Sequence, residues 1–198
     1  SGNESEFAYQ ESGIAIPSLT LNTSGKHQRD NAAAAICAAR RLYPTLDSDA
    51  IRSRLSNCTV AGRQQLLPGS PDILLDVAHN PVSFRALAET LRSGCPNRRI
   101  LAVIGMMKDK DATASLHELR SLVNEIIVVK VNSPRSFAAK DLCEIAQSVG
   151  FNARCADSLD TAFALLHNSQ GGHDLGLVAG SFYLAGDYLT WRRCAGIA

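Results

Sequence analysis

The sequence predicts an α/β protein: a Rossmann-like, mostly parallel sheet with helices on both faces, preceded by a short helical segment. Three observations carry this. From residue 73 onward, short apolar runs recur, each followed by a segment with helical spacing. Strands separated by helices imply right-handed βαβ units and hence a parallel sheet. In Ile73-Leu74-Leu75-Asp76-Val77-Ala78-His79-Asn80-Pro81, a strand of the buried type runs directly into a helix start, with Asn80 placed to cap and Pro81 at the first helical position.

Taken in order, residues 1–25 are irregular, with Ile14-Ala15-Ile16 and Leu19-Thr20-Leu21 as short strands broken by Pro17. An alanine-rich helix follows over 26–43, ended by Pro44, and a second over 48–56. These two helices lack a sheet to cover, so residues 1–61 are expected to form no core alone. Residues 64–67 read as an edge strand. Strand 73–77 and helix 81–93 come next, the helix marked by Phe84, Leu87, Ala88 and Leu91 and stopped at Gly94. Strand 100–104, helix 112–124, strand 126–131 and helix 138–149 continue the alternation, with Leu142, Ile145, Ala146 and Val149 forming one apolar face. A weak strand over 152–155, helix 158–168 with Leu159, Ala162, Phe163 and Leu166 inward, strand 175–179 and helix 181–193 complete it.

Bulk composition excludes several classes. At 198 residues the chain is long enough for one full domain and a fragment; the change of pattern near residue 62 makes 1–61 the fragment and 62–198 the domain. A net charge of +1 gives no electrostatic argument for nucleic acid, and no apolar run approaches the ~20 residues of a membrane span. The opening Ser1-Gly2-Asn3-Glu4 is too polar for a signal peptide. Six cysteines without a C-x-x-C pair argue against structural zinc and for a reducing, cytoplasmic setting.

In a parallel sheet every strand ends on one edge, where ligands bind. Four polar turns fall there: Asp76 to Asn80, Gly105 to Asp111, Asn132 to Ser136, and Gly180 to Tyr183. Each residue also has a plainer reading. Asp76 could cap a helix in an exposed turn, His79 could be a satisfied turn histidine, and the charge run 108–111 could be a solvated loop. Arg135 could be a surface side chain. Ser181 is a natural N-cap, a role compatible with ligand contact. Outside the sheet, Asn31 lies mid-helix, where an amide competes for backbone partners and either faces water or meets a ligand. There is no G-x-x-x-x-G-K-[ST] loop and no G-x-G-x-x-G after a strand.

Five stretches together resemble a family. Asp76-Val77-Ala78-His79-Asn80-Pro81 is similar to the D-x-A-H-N-P of Mur-type ATP-dependent amide ligases, in particular their folylpolyglutamate synthase/dihydrofolate synthase branch. Gly25 to Ala32 resembles its G-x-H-Q-x-x-N-A, and Gly62-Arg63-Gln64-Gln65 its G-R-x-Q, with Ala61 where proline is common. Gly105 to Asp111 resembles its G-x-x-x-D-K-D, and Gly180-Ser181-Phe182-Tyr183 its G-S-x-Y. A peptidoglycan ligase fits less well, because of the D-K-D and H-Q-x-x-N stretches; a non-catalytic α/β binding module is the remaining alternative.

The resemblance implies that residues 1–61 are the end of a central ATPase domain and 62–198 the C-terminal, glutamate-ligase domain. It implies ATP and Mg2+ as cofactors, with the magnesium ligands in an N-terminal part not contained in this sequence. L-Glutamate and dihydropteroate or folate are the implied substrates, and the full-length protein a monomer. By the same analogy Asn31 meets adenine, Arg63 reaches the phosphates, and Asp76 holds the ribose or orients Arg63. His79 and Ser181 lie by the incoming glutamate. Asn132-Ser133-Pro134-Arg135 resembles the N-P-R turn with which peptidoglycan ligases hold an amino-acid carboxylate, which makes Arg135 a candidate for that role, suited to its planar fork.

Overall fold

The computed structural model describes residues 6–11, 13–21, 26–167 and 172–197. Ser1 to Glu4, Gly25, the side chain of His27 and residue 168 of the expected sixth helix lie outside them. The chain divides into two compact units, 1–61 and 62–198.

The first unit corrects an expectation. β1 (Glu6–Glu11) and β2 (Ile14–Thr20) form an antiparallel hairpin, and Pro17 does not break the second strand. The register slips there instead: Phe7 faces Leu19 and Tyr9 faces Ile16, leaving Pro17 and Ser18 opposite one residue, with Ser18 at φ 54°. A bulge is where a strand tolerates a proline without N–H. α1 (Lys26–Leu42) and α2 (Ser48–Ser56) pack on this hairpin, burying Tyr9, Ile16, Leu19, Ile36 and Ile51 in a small core. Asp47 caps α2 through the Asp49 and Ala50 amides, and Arg52 donates to the Pro17 carbonyl at 2.9 Å. The unit therefore has a sheet and a core of its own. The pairing escaped a sequence reading because β1, EFAYQE, alternates too weakly to announce a strand.

The second unit alternates as expected: β3 (Gln65–Leu67), β4 (Asp72–Leu75), α3 (Pro81–Gly94), β5 (Ile100–Ile104), α4 (Ala112–Leu119), β6 (Glu125–Val128), α5 (Ala139–Ser148), β7 (Asn152–Cys155), α6 (Leu159–His167), β8 (Leu175–Ala179) and α7 (Phe182–Cys194). The strand order is β3-β4-β8-β5-β6-β7, with all neighbours parallel except the β3 edge. Alternate residues of each central strand feed two cores. Ala102, Ile104, Ile126 and Val128 meet α3, α4 and α5 through Phe84, Leu87, Leu116 and Leu142. Leu101, Val103 and Ile127 meet α6 and α7 through Phe163, Leu166, Leu184 and Tyr188. Burial on both faces is why these strands read as continuous apolar runs. α4 stops earlier than its pattern suggested, because Asn124 is drawn into the sheet: its side chain accepts from the Ile100 amide at 2.7 Å and its own amide donates to the Ile100 carbonyl.

Two features set the geometry of the sheet edge. Gly180, at φ 120°, passes so close to Gly105 that a Cβ would lie 2.5 Å from the Gly105 carbonyl oxygen. A Cβ on Gly105 would in turn meet Val131 at 2.7 Å. Only glycine lets these turns approach. Away from that edge, the His167 ring stacks on Tyr188 and shares a 2.9 Å hydrogen bond with its hydroxyl, with Trp191 alongside.

Gly180→Ala should cost about 2 kcal/mol or more, from strain and overlap. Gly94→Ala, with open space around it in α3, should instead gain about 0.4–1 kcal/mol. Denaturant unfolding followed by the fluorescence of Trp191 checks both. Burial, and then the Arg192 charge, hold the His167 imidazole below its ordinary range. An imidazole depressed in the fold carries no penalty above its unfolded value of about 6.5 and favours unfolding as pH falls through it. Stability should therefore fall from pH 7.5 to 5.5, and His167→Gln should flatten that slope; an unchanged slope would assign the dependence elsewhere.

Candidate active site at the carboxyl edge of the sheet

The turn after β4 is stitched to the segment before β3. Asp76 is 6% exposed, and its carboxylate accepts from the Gln64 amide at 2.9 Å and the Ala78 amide at 2.6 Å. The Val77 amide donates to the Gly62 carbonyl at 2.8 Å. Gly62, at φ 70°, lies against Val77, where a Cβ would come within 2.8 Å. The expected exposed turn is thus a buried one, because residues 62–64 lie over it and use the Asp76 oxygens. The consequence is a fixed backbone on both sides of Arg63, whose guanidinium sits over the Phe182 ring at 5.4 Å from its centroid.

His79 follows in the same turn. Its Nδ1 lies 2.9 Å from the Val77 carbonyl oxygen. A carbonyl only accepts, so the neutral ring carries its proton on Nδ1 and leaves a lone pair on Nε2. Asn80 Nδ2 lies 3.5 Å from Nε2, and the ring leans on Phe182 at 5.6 Å. Asn80 caps α3 through the Ser83 amide, and the Ser83 hydroxyl answers in a capping box, which fixes the whole turn.

The other turns are tied down as firmly. Ser181, 3% exposed, caps α7 by accepting from the Leu184 amide at 3.1 Å. The turn after β6 is clamped to the turn after β5: Met107 bridges Ser136, the Lys108 amide donates to the Arg135 carbonyl, and the Phe137 amide to the Met106 carbonyl. The buried Ser136 hydroxyl accepts from the Val131 amide and donates to the Phe137 carbonyl, shaping the loop. The Arg135 guanidinium is thereby carried on a braced but exposed turn.

These turns enclose a pocket of about 120 Å³. His79, Arg135 and Ser181 line it, together with Lys110, Asp109 and the aromatic pair Phe182 and Tyr183. Lys110 binds Asp109 at 2.8 Å. That hydrogen bond, and the charges of Lys110 and Arg135, hold the Asp109 carboxyl below the usual carboxylate range. Asp111 has a different task, capping α4 through the Ala114 amide. The charge run at 108–111 is thus divided between a pocket wall and a helix cap.

Of the six residues singled out from sequence, three line the pocket, while Asp76 and Arg63 stand beside it, Arg63 joined to it through Phe182. Asn31 is exposed on α1, in the first unit. Sequence reasoning placed the turns of Asp109, Lys110 and Phe182 on this edge but gave none of the three a role of its own. The available signal was an apolar residue directly after the Ser181 cap, where a buried ring is not expected. Among the described residues no group of three or more His, Cys, Asp or Glu could hold a metal ion, and no helix is long and apolar enough to cross a membrane.

Comparison with known proteins agrees with this geometry. Residues 62–182 match the family described as Mur ligase, glutamate ligase domain. The chain is 34% identical over 153 residues to the dihydrofolate synthase/folylpolyglutamate synthase of Escherichia coli K12, covering 77% of this chain and 35% of that protein. It is 28% identical over 186 residues to the protein of the same description from Bacillus subtilis 168, covering 92% of this chain and 43% of the other. The structure of E. coli FolC in complex with DHPP and ADP superposes with a TM-score of 0.86 at 28% identity, over 99% of this chain and 46% of that one. The chain thus spans less than half the length of these relatives. With residues 62–182, more than half of the chain, matched by the family, the chain belongs to the Mur ligases, through their glutamate ligase domain.

Proposed function

We propose that this chain is the C-terminal part of an ATP-dependent folate–glutamate ligase of the folylpolyglutamate synthase/dihydrofolate synthase kind, carrying its glutamate site and one side of its nucleotide site. Residues 1–61 are then the end of the central ATPase domain and 62–198 the glutamate-ligase domain. The observation that carries the reading is the convergence of His79, Lys110, Arg135 and Ser181, from four separate turns, on one small pocket. Two cations, an imidazole and a hydroxyl suit a small dicarboxylic amino acid, and the volume is well below that of sites for larger ligands.

In the proposed reaction the folate carboxylate takes the terminal phosphate of ATP, ADP leaves, and the acyl phosphate is attacked by the glutamate amine to give an amide and phosphate. Arg135 binds a glutamate carboxylate with its fork, and Ser181 meets the same substrate from the α7 N-terminus. His79, with Nδ1–H committed to the Val77 carbonyl, offers Nε2 to the proton leaving the amine. Arg63 reaches the phosphates and Asp76 fixes its backbone through the Gln64 amide, so positive charge meets the transferring group without reorganisation. Asn31 is assigned to adenine. Magnesium would neutralise phosphate charge when bound, and the family resemblance assigns its ligands to the N-terminal part of the ligase. The acyl substrate is dihydropteroate or folate, and the ligase acts as a cytoplasmic monomer.

Asp76→Ala in the full-length ligase should lower turnover about a hundredfold or more. It should also destabilise the chain by about 2–4 kcal/mol, since two buried amides lose their acceptor. Asp76→Asn, which keeps one acceptor oxygen, should recover part of the stability; near-normal turnover of the alanine variant would remove Asp76 from the site. Arg135→Ala should raise KM for glutamate roughly ten- to a hundredfold, from loss of one charge-assisted contact, and leave that for ATP near its starting value. Equal shifts for both substrates would mean that Arg135 is not the carboxylate anchor. The 198-residue chain alone, given ATP, magnesium, glutamate and dihydropteroate, should release no phosphate dependent on both acceptor substrates, because positioning and charge must come from both sides of the nucleotide. Substrate-dependent release would show a complete active site within these residues.

A further inference from the structure

Phe182 stands out among the exposed apolar side chains. It is 56% exposed, yet its ring touches two groups of the candidate site: the Arg63 guanidinium at 5.4 Å and the His79 ring at 5.6 Å with a tilt of 47°. These contacts join three separate chain segments. The backbone of each is fixed independently: Arg63 by the Val77–Gly62 and Gln64–Asp76 bonds, His79 by the capping box of α3, and Phe182 by the Ser181 cap. What the backbone leaves undetermined is the long Arg63 side chain, which carries about 2 kcal/mol of rotamer entropy. Among the described residues Arg63 makes no hydrogen bond or ion pair, and the face of Phe182 is the group that recognises its charge. The His79 ring is pinned at Nδ1 by the Val77 carbonyl, and a ring held at one atom can still swing about that bond; the Phe182 ring limits the swing.

We infer that Phe182 is a positioning residue that pre-orients the Arg63 guanidinium, over its ring face, and the tilted His79 imidazole for the ligation proposed above. It rests on that reading of the site, but assigns a role to a side chain that the reading does not use. The ring face is negative and soft, so it holds the guanidinium without competing for its N–H donors. A carboxylate in its place would engage those donors and oppose an incoming phosphate. An aromatic ring also repels no anion strongly enough to block the approach, and it sheds little ordered water. The position one residue past the Ser181 cap makes the ring part of the α7 N-terminus, so it moves with the hydroxyl that meets the substrate.

The test compares Phe182→Leu, Phe182→Tyr and Phe182→Trp in the full-length ligase, with Arg63→Ala and His79→Ala as references. Because the ring is more than half exposed, F182L is expected to fold, as Trp191 fluorescence will show. F182L should lower kcat roughly five- to fiftyfold, the equivalent of two ring contacts, with KM for ATP and glutamate within about twofold. F182Y and F182W should restore kcat to within about threefold. In an Arg63→Ala background, F182L should have a much smaller effect, since the partner through which it acts is gone. In the 198-residue chain, NMR should show the His79 ring protons displaced by the Phe182 ring current, and F182L should abolish the displacement. Unchanged kcat in F182L, beside inactive R63A and H79A, would overturn the inference and leave the ligase reading standing. Full activity of R63A and H79A would overturn both. A drop confined to KM, or fully multiplicative effects of F182L and R63A, would make Phe182 a wall of the pocket and not a positioning residue.

Discussion

The buried Asp76 carboxylate is the contact on which the candidate site depends. Its two oxygens accept from Gln64 and Ala78, amides separated by more than a full strand and turn in sequence. A carboxylate holding two backbone donors is a charge-assisted clamp, stronger than a pair of neutral hydrogen bonds. It fixes where Arg63 leaves the backbone and how the chain turns toward His79. The Gln65 side chain of β3 adds to the clamp by accepting from the Gly62 amide at 3.1 Å. The cost of burying the aspartate is thus offset locally, by amides that would otherwise lack partners.

Close backbone approach does for the other half of the edge what the carboxylate does here. β8 lies between β4 and β5, so the turn after β8 lies between the turns that carry His79 and Lys110. For three turns to crowd onto one pocket, their backbones must pass at distances that exclude any side chain. Gly180 against Gly105, and Gly105 against Val131, meet that demand. The fourth turn is drawn in by the Met107–Ser136 bridge. Rigid strands thereby hold polar groups that are themselves on loops, an arrangement that gives a site both precision and variable chemistry.

The charged groups at this edge differ in what holds them. Lys110 is already paired with Asp109, while Arg135 stands exposed on its braced turn and Arg63 rests on an aromatic face. An arginine held by a ring keeps all its donors for a ligand, and one on a loop can reach a carboxylate with its planar fork. Asp109, kept ionised by its neighbours, limits the net positive charge of the pocket and offers a partner for an amine. This mixture of signs is what the proposed amino-acid substrate, with its carboxylates and amine, would need.

The sequence by itself determined the periodic parts. Continuous apolar runs and helical spacing specify the βαβ alternation of the second unit, since burial on both sheet faces writes itself directly into composition. Asn80-Pro81 and Ser181 declare their helix starts, because capping is local chemistry. The motif residues were legible as residues, including His79, Arg135 and Ser181. Three things were decided only by tertiary structure. The hairpin under α1 and α2 depends on pairing across a turn, with a bulge at Pro17 and Ser18 that no periodicity reveals. The burial of Asp76 depends on a segment twelve residues earlier folding over it. The contacts of Phe182 with Arg63 and His79 depend on the placement of β8 between β4 and β5, a strand order that an alternating sequence of strands and helices leaves open. Local preference is read from neighbours in the chain; these three were fixed by neighbours in space.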